Sequence, residues 1–123
     1  MTQEEKQLLL KDLCARLPYG VICRLSVKDA DVSIIEKLEI GGLEHFISGT
    51  MDVKPYLRSM SSITEEEVFD YIVRTKEIGC IVELPIQPRA LSVDWLNAHH
   101  FDYRGLIEKG LALEALEGMY KTE

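Results

Sequence analysis

The chain has 123 residues, of which 46% are hydrophobic and 28% are charged, and its formal net charge is −7 at pH 7. This length and composition predict a single domain over residues 1–123 that buries one hydrophobic core. Charged residues interrupt every apolar stretch, so we expect no segment that crosses a membrane. The acidic balance, without a cluster of Lys and Arg, argues against nucleic-acid binding.

The three cysteines, Cys14, Cys23 and Cys80, are far apart in the sequence. A zinc site usually requires close pairs of cysteines, and an odd number does not suit a disulfide framework. The first residues also lack the basic and apolar segments of a secretory signal. We therefore expect reduced, buried thiols in a cytoplasmic protein.

The N-terminal segment predicts a helix followed by a strand. Thr2 and Glu5 form the T-x-x-E pattern of a capping box, and leucines at helical spacing follow until Pro18. Apolar and polar side chains then alternate over residues 21–27, which is the pattern of a half-buried strand.

Residues 32–40 predict a second strand that pairs with the first. Glu36 interrupts the alternation, which predicts a bulge near Ile35. The side chains that would face the core are Val32, Ile34, Leu38 and Ile40.

Two more strands are predicted before the chain returns to helix. Gly41-Gly42 suits a tight hairpin into a strand over residues 43–48. Residues 53–58 form a fourth candidate, which Pro55 places at a sheet edge. The predicted fold is therefore α+β: an antiparallel β-meander or small open barrel of about 4–6 strands, flanked by about three helices.

A second capping box, Thr64 with Glu67, predicts a helix, and Ile63 and Val68 form its hydrophobic staple. Gly79 suits the end of this helix. Its predicted buried stripe consists of Val68, Phe69, Ile72 and Val73.

The C-terminal part predicts short elements. Residues 80–84 are apolar and suggest a strand, and Ser92 is predicted to cap a short helix that buries Trp95 and Leu96. Residues 111–115 fit a helix by propensity and a strand by their position after a glycine.

A polar cluster next to this short helix contains His99, His100 and Asp102, the residue types of a site with two histidines and one carboxylate. Adjacent histidines on a helix point about 100° apart, which does not favour a shared metal. We interpret the pair as a helix end, where histidines contact the last carbonyls, and we predict no metal and no cofactor. A small metal-dependent or acid–base enzyme that uses these three residues stays open as the alternative.

Two pairs of residues are candidates for contact with a partner: Tyr56 with Arg58, and Tyr103 with Arg104. Tyrosine and arginine are enriched in protein interfaces, and both pairs lie at predicted turns or edges. The alternative is that both tyrosines cover the edges of the core with their hydroxyl groups in water.

No motif of a catalytic serine or of a nucleotide-binding loop is present. The first functional hypothesis is therefore a non-enzymatic protein-interaction module that acts through a protein partner or as a homo-oligomer. A third, weaker hypothesis is an acidic phage-type inhibitor that imitates nucleic acid with its carboxylates, such as those of the glutamate run at residues 65–67.

Three segments, residues 8–21, 53–66 and 95–107, resemble a family of small uncharacterised proteins from Bacteroides-type gut bacteria. The third segment, which runs from Trp95 to Ile107, is the most specific of the three. Members of that family often lie in phage-like or other mobile regions. The resemblance implies a bacterial cytoplasmic protein and implies no activity, cofactor or functional residue.

Overall fold

The computed structural model describes residues 2–27, 30–75 and 90–120, without the side chains of residues 72–75 and 90–92. Short 3₁₀ turns lie at Leu17–Tyr19 and Met60–Ser62. The helices and strands of this part of the chain are α1 (Gln3–Arg16), β1 (Ile22–Val27), β2 (Ser33–Lys37), α2 (Ile40–Ser48), β3 (Met51–Leu57), α3 (Glu65–Thr75), α4 (Ala90–Ala98) and β4 (Leu113–Glu114).

The sheet has the strand order β2-β1-β3-β4 and is open. β1 is antiparallel to both β2 and β3, whereas the short β4 is parallel to β3. The predicted α+β class is confirmed. The connectivity differs from a meander because α2 carries the chain from β2 back to the other side of β1.

The first predicted helix and its cap are confirmed. The Oγ1 atom of Thr2 accepts a hydrogen bond from the Glu5 amide at 3.1 Å, and the Glu5 carboxylate accepts one from the Thr2 amide at 2.9 Å. Leu9 and Leu13 are fully buried and belong to the same core cluster as the inward side chains of β1 and β3. α1 therefore covers the inner face of the sheet.

The bulge predicted near Ile35 is wrong. The ladder between β1 and β2 is regular, and Ile35 lies directly opposite Arg24. The prediction of a core-facing β2 is also wrong, because only Leu38 of the expected set is buried. The physical reason is position: β2 is the outermost strand, and the core cluster contains no side chain from it. The exposed members of the expected set are Val32, Ile34 and Ile40.

Gly41 and Gly42 lie in α2 and not in a hairpin turn, so the predicted strand at residues 43–48 is wrong. A Cβ atom on Gly42 would lie 3.0 Å from Leu25 Cδ2 and 3.4 Å from Leu38 Cδ1. This glycine therefore permits close packing of α2 on the sheet. Gly49, with φ of 82°, ends the helix in the left-handed conformation.

β3 lies inside the sheet, although Pro55 predicted an edge strand. Its partner on the far side from β1 is β4, which pairs only with Tyr56 and Leu57. In the described sheet the segment that contains Pro55 consequently has a neighbouring strand on one side only, that of β1. Proline has no N–H to donate, and at this position no neighbouring strand needs that donor, as at the edge of a sheet.

The second capping box is confirmed, since Thr64 Oγ1 accepts from the Glu67 amide at 3.2 Å and Glu67 Oε1 accepts from the Thr64 amide at 3.0 Å. The predicted buried stripe of α3 is wrong for the two of its members whose side chains are described, Val68 and Phe69. Phe69 is 69% exposed and Val68 is 41% exposed, whereas Tyr71 is buried. The side chains of Ile72 and Val73, and the whole of Gly79, lie outside the described residues.

α4 begins at Ala90, so Ser92 lies inside the helix and is not its cap as predicted. Trp95 and Leu96 are buried as expected and form a second core cluster with Tyr71 and Phe101. The C-terminal ambiguity resolves to a strand at Leu113–Glu114. The strand predicted at residues 80–84 lies outside the described part of the chain.

Candidate functional site

The predicted polar cluster lies at the end of α4, where the chain turns towards β3. His99 Nδ1 lies 2.9 Å from the Trp95 carbonyl oxygen, to which it donates, and its ring stacks on the Trp95 ring at 4.0 Å. His100 follows with φ of 61°, a left-handed conformation that stops the helix. The side chain of the first histidine therefore adds a second hydrogen bond to a carbonyl of the last helical turn, which already accepts one from the His99 amide at 3.0 Å.

Asp102 acts on the backbone that follows it. Its Oδ1 accepts a hydrogen bond from the Leu106 amide at 2.9 Å, and its Oδ2 accepts one from the Ile107 amide at 3.0 Å. Both oxygens of this largely buried carboxylate are thus occupied by the turn that leads to β4. Within the described residues, no three His, Cys, Asp or Glu side chains are grouped so that they could hold a metal ion.

His100 is buried, and its ring stacks on the Tyr120 ring at a centroid distance of 3.8 Å. Its Nδ1 has no hydrogen-bond partner among the described residues. Burial lowers the pKa of His100 from its ordinary value of 6.5 to about 4, and the positive charges of Arg16, His99 and Arg58 act in the same direction. The ring is therefore neutral near pH 7.

The hydroxyl group of Tyr120 joins β1 to β3 beyond the point where their ladder ends. It accepts a hydrogen bond from the Ile22 amide at 2.8 Å and donates one to the Tyr56 carbonyl at 2.6 Å. Burial raises the pKa of this phenol above its usual range. The sequence gives no signal for this contact, because Ile22 and Tyr120 are 98 residues apart.

Of the first predicted pair, Tyr56 is buried and Arg58 is partly buried. The Arg58 guanidinium makes a bidentate ion pair with Glu67 at 2.5 and 2.6 Å and lies 4.3 Å from the centre of the Phe101 ring. This contact lowers the pKa of Glu67 to about 2. The pair joins the end of β3 to the start of α3.

The second predicted pair belongs to a buried polar network. The Tyr103 hydroxyl donates to Asn97 Oδ1 at 2.9 Å and accepts from Arg104 Nη2 at 3.0 Å. Arg104 Nε also donates to the fully buried Asp12 at 3.0 Å, and Arg16 donates to the same carboxylate at 2.8 Å. Sequence analysis missed Asp12 and Arg16, although their spacing of three and seven residues from Leu9 places them on the buried face of α1.

The cysteines provide no prepared nucleophile in the part of the chain that the structure covers. Cys14 is exposed, so its predicted burial is wrong, and Cys23 is buried. Burial raises the pKa of the Cys23 thiol to about 12, which keeps it protonated. Cys80 lies outside the described residues.

Two concave surfaces flank α3. An apolar groove of about 330 Å³ lies between α3 and α4 and is lined by aromatic side chains that include Tyr71, Trp95 and Tyr103. An open cleft of about 750 Å³ lies between the start of α3 and residues 114–120. Its acidic lining residues are Glu66, Glu67, Glu114 and Glu117.

Among the residues that the structure describes, the largest run of exposed apolar side chains lies on and beside β2. We use the name β2 edge for the surface formed by residues 31–37, on the side of β2 that faces away from β1. Val32, Ile34 and Ile35 are 56%, 49% and 53% exposed, and Ile40 follows at 65%. Every residue of β2 is exposed, so both of its faces are open to solvent.

Comparisons with protein-family models, curated proteins and solved structures find no significant match. The family resemblance of the sequence therefore stays a prediction. Within residues 2–27, 30–75 and 90–120, no helix is both long and apolar enough to span a membrane.

Proposed function

We propose that this chain is a non-enzymatic protein-interaction module, and that a protein partner docks on the β2 edge. The observation that carries the proposal is the exposure of the apolar residues Val32, Ile34 and Ile35 on an outermost strand. An unpaired strand edge offers backbone donors and acceptors to an added strand. Contiguous exposed apolar side chains mark sites of protein interaction.

The location of the other candidate residues supports this surface over those predicted from sequence. Arg58 is engaged by Glu67, and Arg104 is engaged by Asp12. Tyr56 is buried. These side chains stabilise the fold, and a partner that used them would first have to break internal contacts.

The enzyme alternative has weaker support. Its carboxylate, Asp102, accepts two backbone hydrogen bonds, and His99 is bound to the Trp95 carbonyl. A general acid or base needs a proton-transfer atom within reach of substrate. His100 retains an Nδ1 atom without a hydrogen-bond partner among the described residues, but the residue is only 7% exposed.

The proposal is tested by affinity capture in the native host with three forms of the full chain. Ile35 on β2 and Ile47 on α2 are both 53% exposed, so Ile35→Lys and Ile47→Lys are matched changes. We expect wild type and Ile47→Lys to recover the same partner, including any untagged copy of this chain. Ile35→Lys should lose that partner. Recovery that does not depend on Ile35 would contradict the proposal.

A further inference from the structure

We infer that the β2 edge binds a second copy of this chain, through an antiparallel pair of β2 strands related by a two-fold axis. This inference rests on the proposed function, because it names the partner of the same surface. It is carried by the direction of the backbone groups of β2 and by the charges at the two ends of the edge.

The backbone direction follows from the ladder with β1. The Val27 amide donates to the Val32 carbonyl at 3.1 Å, and the Leu38 amide donates to the Val21 carbonyl at 2.8 Å. Even-numbered residues of this segment therefore direct their backbone groups towards β1. Because the direction alternates along an antiparallel strand, Ser33, Ile35 and Lys37 direct theirs away from β1. No strand of the described sheet lies on that side.

Symmetry restricts how two such edges can pair. Residues opposite each other in an antiparallel pair point to the same face of the sheet. A two-fold axis perpendicular to the sheet therefore pairs odd-numbered residues with odd-numbered ones. When the axis passes beside Ile34, Ser33 lies opposite Ile35 of the second copy, and their outward backbone groups meet.

Charge selects this register over those centred one and two residues further along β2. With the axis at Ile34, Asp31 lies opposite Lys37 of the second copy, and symmetry repeats the pair. With the axis at Ile35, Asp31 would lie opposite Glu39, and with the axis at Glu36 two copies of Glu36 would meet. Like charges directly opposite each other destabilise a strand pair, and opposite charges stabilise it.

The charged residues of the favoured register are available for these contacts. Asp31 and Lys37 are exposed, and neither makes an ion pair within the part of the chain that the structure describes. Ile34, which is 49% exposed, would contact its own copy at the axis. Strand pairing over so short a segment buries less surface than the roughly 1,200–2,000 Å² of stable interfaces, so we expect a weak, concentration-dependent dimer.

The test measures the dimerisation of the purified full chain by sedimentation velocity over a range of concentrations. Lys37→Glu should weaken the dimer about tenfold or more, because it places two carboxylates opposite each other. The exchange variant Asp31→Lys/Lys37→Glu should restore the wild-type affinity to within about threefold. Lys11→Glu on the exposed surface of α1 changes the net charge equally and should leave the dimer intact.

The outcomes separate this inference from the proposed function. A chain that stays monomeric, while capture of another protein still depends on Ile35, would overturn the inference and leave the function in place. A dimer that Lys37→Glu does not weaken would overturn the inferred register. Rescue by the exchange variant supports the inference, even when capture recovers no protein other than copies of this chain.

Discussion

Asp12 is a fully buried carboxylate that two arginines compensate. Its Oδ2 accepts from Arg16 Nε at 2.8 Å, and its Oδ1 accepts from Arg104 Nε at 3.0 Å. Arg16 is also fully buried, and its Nη2 donates to the Phe101 carbonyl. Each charge in such a group is tolerated in the interior only because its partners replace the water it has lost.

We predict that Asp12→Ala destabilises the protein by about 3–5 kcal/mol, because it leaves the buried Arg16 guanidinium without its counter-charge. Urea denaturation of the purified chain measures the change. Glu66→Ala, an exposed carboxylate at the start of α3, is the control and should change the stability by less than about 0.5 kcal/mol. A loss below about 1 kcal/mol for Asp12→Ala would show that water reaches Arg16.

The contacts that could be predicted from the sequence are those between residues close together in the chain. Both capping boxes were predicted correctly, because Thr2 and Thr64 each bind a glutamate three residues later. The role of Asp12 could not be predicted, because Arg104 follows it by 92 residues. Trp95 was placed in the core by its size and by the short helix that carries it.

At the scale of elements, α2 shows how a glycine pair can mislead. Two adjacent glycines are typical of a hairpin turn, yet neither Gly41 nor Gly42 has a positive φ in this helix. They differ in their surroundings. A Cβ atom on Gly41 would meet nothing within 4 Å, whereas one on Gly42 would press on Leu25 at 3.0 Å.

We therefore predict opposite responses to alanine at these two positions. Gly41→Ala should stabilise the protein by about 0.5–1 kcal/mol, because alanine lowers the entropy cost of the helix and has free space there. Gly42→Ala should gain nothing or lose stability, since the Leu25 side chain must move. Thermal denaturation of both variants measures the difference. A destabilising Gly41→Ala would contradict the helix and favour the hairpin.

β2 shows the limit of alternation as a signal. Its apolar residues predicted a strand, and the structure has one, but alternation does not reveal whether a helix covers the strand. The class of the fold could be predicted, because local patterns indicate helices and strands. The strand order could not be predicted. It depends on α2, and the glycine pair in this helix indicated a hairpin turn instead. The β2 edge became a candidate site only when the strand order was known.

At the scale of the whole molecule, two titrating groups make the stability depend on pH in successive ranges that overlap near pH 4. The pKa of His100 is lowered from 6.5 to about 4, chiefly by burial. The pKa of Glu67 is lowered from 4.5 to about 2, chiefly by its hydrogen bonds with Arg58. The unfolded chain therefore binds a proton before the folded one does in both cases. Stability is full above the ordinary pKa and falls as the pH falls towards the lowered one.

We predict that the free energy of unfolding falls by up to about 3 kcal/mol between pH 6.5 and pH 4 because of His100 alone. His100→Asn removes the titrating ring and keeps a residue that tolerates the left-handed φ of 61°, so its stability should change little down to about pH 5, above the range in which Glu67 titrates. His45→Asn alters an exposed histidine and should keep the wild-type slope. Urea denaturation at a series of pH values measures all three proteins. Equal slopes for wild type and His100→Asn would mean that His100 accepts a proton in the folded state, and that its burial does not keep it neutral.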